Sequence, residues 1–145
     1  MNYRLIFLLS LFGLVMAFAT VFLIPDKVEP LFWLAIFIVC AYLIAKNAPG
    51  RFFLHGLLTS LVNSVWITGA HVLLFNTYIV KHSMELDMMD NNFPSSIALH
   101  PRILMIAMGP VMGLAFGIVL GLFAFIASKM VKRNVSMVSN SRRLY

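Results

Sequence analysis

Four long apolar segments, separated by short polar stretches, dominate the hydrophobic pattern along the chain. They cover residues 5–24, 31–46, 52–80 and 103–128, and prolines stand in each of the three connections between them. Because the bilayer core offers no water to hydrogen-bond a backbone, apolar segments of this length cross a membrane as α-helices. The pattern therefore predicts an all-α integral membrane protein with four transmembrane helices.

The rest of the chain is a long loop, residues 81–102, and a basic tail, residues 129–145. We predict a single transmembrane domain over residues 1–128. The first span also resembles a cleavable signal peptide, with Ala17–Phe18–Ala19 at the cleavage position. The apolar run continues beyond that position to Ile24, which favours a retained first span.

The composition excludes a soluble globular domain. Such domains have about 25% charged residues, whereas this chain has 11% charged and 61% hydrophobic residues and a mean hydropathy of +0.94. Polar side chains are therefore too few to cover a water-facing surface. Cys40 is the single cysteine, so no disulfide can form within the chain.

The charged residues are distributed unevenly between the two predicted sides of the membrane. If the N-terminus is cytoplasmic, all five acidic residues lie outside, and eight of the eleven basic residues lie inside: Arg4, Lys46, Arg51, Lys129, Lys132, Arg133, Arg142 and Arg143. The positive-inside rule thus predicts that both termini are cytoplasmic, in a plasma membrane or bacterial inner membrane. The net charge of +6 is then a topology signal, so the predicted partner is the lipid bilayer and not nucleic acid. Trp33 and Tyr78 fall near the outer boundary, as in an aromatic belt.

Glycine recurs at every fourth position of the last span: Gly109, Gly113, Gly117 and Gly121, which we call the glycine strip. A glycine costs roughly 1 kcal/mol relative to alanine inside a helix. Positions four apart share one helix face, so the strip forms a groove into which another helix can pack closely. That helix belongs either to the same chain or to a second copy. The length of the strip favours a homo-oligomer or another membrane-protein partner.

The third span carries an unusual number of polar residues, most of them on one side of the helix. We predict that the polar side, which includes Asn63 and Ser64, packs inward. His71, with Asn76 above it, is predicted to face the part of the last span that contains Pro110. A proline there removes a backbone donor and is expected to kink the helix. These residues either hydrogen-bond neighbouring helices or line a polar cavity.

Methionine and histidine residues near the long loop raise the question of a soft metal. Thioether and imidazole groups suit Cu(I), and the candidate ligands are Met108, Met112, His82 and His100. The spacing of Met108 and Met112, beside the glycines, resembles features of eukaryotic copper-uptake channels, which have three spans and carry the two motifs on different helices. We predict no resident metal or other cofactor.

No sequence motif of a hydrolase, a zinc protease or a nucleotide-binding enzyme is present, so no enzymatic activity is predicted. The leading hypothesis is a self-associating accessory or pore-forming subunit of a membrane assembly. The alternative is a transporter or sensor of a small solute or of a soft metal ion such as Cu(I).

Overall fold

Six helices make up the described part of the chain, which comprises residues 1–25, 27–80, 82–92, 94 and 100–131 of a computed structural model. They are α1 (Tyr3–Phe22), α2 (Glu29–Asn47), α3 (Phe52–Leu73), α4 (Phe75–Ile79), α5 (Ser83–Asn92) and α6 (Pro101–Met130). Four of them, α1, α2, α3 and α6, are long and apolar enough to cross a membrane, which confirms the predicted all-helical, four-span class. Asp26, Lys81 and residues 132–145, which include most of the predicted basic tail, lie outside the described residues.

Local chemistry accounts for several helix ends. The Asn2 side chain caps α1 by accepting a hydrogen bond from the Leu5 amide at 3.1 Å. Prolines stand in the first turns of α2 and α6, where a missing amide hydrogen costs nothing. Between α2 and α3, Arg51 adopts a left-handed conformation with φ of 50°.

The third apolar segment is not one continuous helix. It breaks at Leu74, whose backbone angles, φ of −103° and ψ of 25°, depart from those of an α-helix. In a continuous helix His71 and Tyr78 would lie about 10 Å apart along the axis. After the break their rings are stacked with centroids 3.9 Å apart, so the interruption permits this ring contact.

The bundle is built around α3 and α6, which make the most extensive interhelical contact. They run antiparallel, because Gly121 near the end of α6 meets Phe53 while Gly109 meets Thr68. Helix α1 packs along α3, and α2 packs along α6. The start of α1 and the end of α6 therefore share one end of the bundle, the terminal end. The opposite end, which carries α4 and α5, is called the loop end.

The apolar core lies in the half of the bundle nearer the terminal end, chiefly between α2 and α6. Most of its fully packed members are small or branched, which lets the two helices approach closely: Leu9, Phe37, Cys40, Ala41, Ile44, Ala48, Leu120 and Ala124. At the side of this core that faces the loop end, Phe37 makes an edge-to-face contact with Phe116, with ring centroids 6.0 Å apart. Beyond this contact, toward the loop end, the space between α2, α3 and α6 is open.

Candidate functional site

The glycine strip of α6 packs against α3 of the same chain. A Cβ on Gly109 or on Gly113 would collide with the side chains of Thr68 and Ser64, respectively. Nearer the terminal end, a Cβ on Gly117 would lie 2.9 Å from Leu57 Cδ1, and one on Gly121 would lie 2.7 Å from Phe53 Cδ2. All four glycines therefore face one neighbouring helix within the chain.

The polar face of α3 is shared between two neighbours. Ser64 and Thr68 lie against the strip on α6. On the other side, the Asn63 side chain fits against Gly13 of α1, where a Cβ would lie 2.6 Å from its Oδ1. The His71 Nε2 lies 3.0 Å from the Thr20 hydroxyl of α1. Close packing on both sides holds these polar groups in place.

A cavity of about 470 Å³ opens between α2, α3 and α6 in the half nearer the loop end. Most of its wall is apolar and comes from aromatic and methionine side chains: Trp33, Phe37, Met105, Met108, Met112 and Phe116. Polar groups come mainly from α3, with one carboxylate from α2: Ser60, Asn63, Ser64, Thr68, His71 and Glu29. Met88 of α5 also lines the cavity, so the cavity combines apolar walls with one polar side.

Three stacked rings stand beside the cavity at the loop end. Tyr78 lies between His71 and His82, with ring centroids 3.9 Å and 4.1 Å away. The His82 Nε2 lies 3.2 Å from Glu29 Oε2, and the Trp33 indole donates to Glu29 Oε1 at 2.9 Å. Tyr78 is only 1% exposed, so its assignment to a lipid-facing aromatic belt is wrong. The stack links α3, α4 and the start of α2.

Two buried oxygen atoms of α3 have no hydrogen-bond partner among the described residues: Thr59 Oγ1 and Asn63 Oδ1. A buried acceptor without a partner costs about 1–3 kcal/mol. Asn63 is 3% exposed and lines the cavity. The unpaired Oδ1 itself packs against Gly13 at the contact between α1 and α3.

The predicted site residues separate into two groups. Asn63, Ser64, His71, Gly109, Gly113, Met108 and Met112 all line the cavity. Asn76 instead accepts a hydrogen bond from Arg102 at 3.3 Å and lines a second pocket with His100. Pro110 is exposed within α6, and His82 is buried in the ring stack. Within the described ranges, no three His, Cys, Asp or Glu side chains form a cluster that could hold a metal ion.

Sequence reasoning did not identify Thr20, Glu29, Trp33 or Tyr78 as part of this site. Glu29 and Trp33 stand four residues apart, a spacing that brings side chains together on one helix face. The sequence could therefore have predicted their contact. Thr20 and His71 are 51 residues apart. Only the packing of α1 against α3 brings that pair together.

The geometry thus presents a cavity between α2, α3 and α6, a polar face on α3 and a ring stack at the loop end. Its polar groups come mainly from α2 and α3, with Tyr78 of α4 and Asn92 of α5, and its methionines come from α5 and α6. Comparison with protein-family models, with curated proteins and with solved structures finds no match to this chain.

Proposed function

We propose that the protein binds a small solute within the membrane and acts as a transporter or sensor of that solute. The observation that carries the proposal is the cavity of about 470 Å³ between α2, α3 and α6. Ligand sites of about 300–1,000 Å³ with mostly apolar walls and a few placed polar groups are typical of small-molecule binding proteins. The cavity has this size and this distribution of chemistry.

The apolar wall points to a solute that partitions into the bilayer. Trp33, Phe37 and Phe116 offer ring faces, and Met105, Met108 and Met112 offer flexible thioether chains that adapt to irregular shapes. The side chains of α3 add hydrogen-bonding groups on one side only. The solute is therefore an amphipathic or largely apolar molecule and not a hydrated ion.

The charge distribution supports an orientation for this site. Among the described residues, four basic residues and no acidic one lie at the terminal end: Arg4, Lys46, Arg51 and Lys129. At the loop end, Glu29 and Asp87 stand with the basic Lys27 and Arg102. Under the positive-inside rule the terminal end is cytoplasmic. The cavity then lies in the outer half of the membrane, and the solute enters it from that leaflet or from the outer solution.

Tryptophan quenching tests the proposal, since Trp33 lines the cavity and Trp66 does not. Trp66 instead donates to Ser10 at the α1–α3 interface. A Trp66→Phe variant in lipid nanodiscs is titrated with 4-bromophenol and 4-bromotoluene, whose bromine quenches indole fluorescence on contact. We expect saturable quenching of Trp33. The matched Trp33→Phe variant should show only the linear quenching of a probe dissolved in lipid, and linear quenching in both variants would refute the proposal.

A soft metal ion is the second candidate ligand, and one observation favours it. Met88, Met105, Met108 and Met112 all line the cavity together with His71, and thioether and imidazole groups suit monovalent copper or silver. Protein without an affinity tag is incubated with Ag(I), desalted and analysed for silver. Retention of one ion per chain that is lost in the Met105→Leu/Met108→Leu variant supports this candidate, and the absence of silver removes it.

Self-association as an accessory or pore-forming subunit is a separate proposal. Its sequence support was the glycine strip, and α3 of the same chain occupies that strip. A second copy would have to use another surface, such as the exposed apolar side chains of α1 and α2. The mass of the detergent-solubilised protein decides the point, because a single protein chain per particle would exclude self-association under those conditions.

A further inference from the structure

We propose that the cavity selects solutes that carry a hydrogen-bond donor, a hydroxyl or N–H group, which binds to Nδ1 of His71. This inference rests on the proposed function, because it names the class of solute for the same cavity. It follows from the hydrogen bonds that His71 and its neighbours already make within the bundle.

The Thr20 hydroxyl determines which nitrogen of His71 carries the hydrogen. Its Oγ1 lies 3.0 Å from the carbonyl oxygens of Met16 and Ala17 and 3.0 Å from the His71 Nε2. Carbonyl oxygens only accept hydrogen bonds, so the single hydroxyl hydrogen is directed to them, as is common for threonine within a helix. The hydroxyl oxygen then accepts from His71, and we assign the hydrogen to Nε2.

The second ring nitrogen is consequently an acceptor. A neutral imidazole carries one N–H and one lone-pair nitrogen, and a charged, unpaired group in the membrane interior is costly. His71 is 9% exposed and lines the cavity, and no described residue hydrogen-bonds its Nδ1. The stacked Tyr78 ring, 3.9 Å away, holds the imidazole plane in place. A donor on the solute can therefore bind Nδ1 with little loss of side-chain freedom.

Two other polar groups of the cavity also act as acceptors. Ser64 donates its hydroxyl hydrogen to the Leu61 carbonyl at 2.8 Å, which leaves only lone pairs for a solute. The Glu29 carboxylate accepts from Trp33, and an ionised carboxylate has no hydrogen to donate. The hydroxyls of Ser60 and Thr68 and the amide of Asn63 can either donate or accept, so they set no preference. Among the cavity groups whose hydrogen-bonding role is fixed by contacts within the protein, acceptors therefore predominate. This favours a solute that carries a hydrogen-bond donor.

Three probes of similar shape test this preference by the quenching of Trp33 in the Trp66→Phe protein. They are 4-bromophenol, which can donate a hydrogen bond, 4-bromoanisole, which can only accept, and 4-bromotoluene, which does neither. We expect 4-bromophenol to half-saturate the site at a concentration about tenfold lower than 4-bromotoluene does, as one added hydrogen bond predicts. In His71→Phe, made in the same Trp66→Phe protein, this preference should fall about tenfold. The ratio of the two half-saturating concentrations is compared between the two proteins, which cancels the difference in how the two probes partition into lipid.

A second variant keeps the test decisive if His71→Phe does not fold. Thr20→Val removes the acceptor for Nε2 but retains the ring stack, so the hydrogen is no longer held on Nε2 and the preference for 4-bromophenol should fall. Thr77→Val is the matched control, since Thr77 is exposed and does not line the cavity, and it should preserve the preference.

Each outcome has a distinct meaning. A preference for 4-bromophenol over 4-bromotoluene that His71→Phe leaves unchanged overturns the inference but leaves the proposed function intact. Preference for 4-bromoanisole also overturns it, because Nδ1 would then carry the hydrogen. If no probe saturates the quenching of Trp33, the proposed function fails, and the inference fails with it.

Discussion

Gly121 of α6 and Gly56 of α3 bring two helix backbones into direct contact: a Cβ placed on Gly56 would lie 2.7 Å from the Cα of Gly121. Helices in a bilayer gain little from hydrophobic burial, so they associate through such close van der Waals contact and weak Cα–H···O interactions. The glycine strip thus obtains within one chain the contact that offsets its poor helix propensity. This packing also positions Ser64 and Thr68, and with them the polar side of the cavity.

Substituting alanine for Gly56 should destabilise the bundle, because its Cβ would meet backbone atoms of Gly121 and Leu120 that cannot move independently. We expect a loss of about 1–3 kcal/mol, the usual cost of overpacking a close-packed interior. Gly69→Ala on the same helix is the matched control, since no atom lies within 4 Å of its Cβ position. It should be neutral or slightly stabilising. Thermal or SDS-induced unfolding measures both variants, and equal stabilities would contradict the described contact.

Because Gly113 lies against Ser64, a second substitution at Ser64 should restore the stability that Gly113→Ala loses. Gly113→Ala alone should lower the unfolding temperature, because its Cβ would collide with the Ser64 side chain. Adding Ser64→Gly removes that side chain and should restore most of the loss, giving a favourable coupling of about 0.5–3 kcal/mol in a double-mutant cycle. A strip that packed against a second copy would give no such rescue, and Gly113→Ala would then change the mass of the solubilised particle.

His55 anchors the start of α1 to α3, and its loss should loosen that contact. Its Nδ1 lies 3.0 Å from the Arg51 carbonyl, to which it donates, and its Nε2 accepts from the Asn2 amide at 3.1 Å. Because His55 is 0% exposed, His55→Leu leaves the Asn2 amide without its acceptor and should cost about 1–3 kcal/mol. The Arg51 carbonyl still accepts from the backbone amide of residue 55 at 3.1 Å. Hydrogen exchange of the first turn of α1 should accelerate. The exposed His100 provides the control, and His100→Leu should leave stability within about 0.5 kcal/mol.

Glu29 should contribute to the stability of the loop end. Its carboxylate joins the fully buried His82 at 3.2 Å to the Trp33 indole at 2.9 Å. Glu29→Ala removes both contacts and should cost about 1–3 kcal/mol, with faster hydrogen exchange in the neighbouring helix, residues 83–92. Glu29→Gln retains hydrogen-bonding atoms and should lose less. Asp87→Asn alters an exposed carboxylate of that helix and should change neither measurement. Unchanged exchange in Glu29→Ala would contradict this account.

The candidate site was predictable only in part, and individual residues show why. Asn63, Ser64 and His71 follow from the helical period of polar residues in one apolar segment, and all three line the cavity. Asn76 lies in the same segment, but the break at Leu74 places it beside Arg102 instead. The contact between Glu29 and His82 joins residues 53 positions apart. No local pattern specifies such a pair, because it depends on how the helices meet.

The sequence alone determined the four spans and the approximate positions of their ends. A backbone in lipid must satisfy its hydrogen bonds within the same segment, so the length and apolarity of a segment suffice to predict a helix, and Pro101 marks the start of α6. The tertiary structure decided which surface fills the glycine strip and where the cavity opens. A row of glycines specifies only that some helix approaches closely. The identity of that helix, α3, depends on the shapes of all the helices packed together.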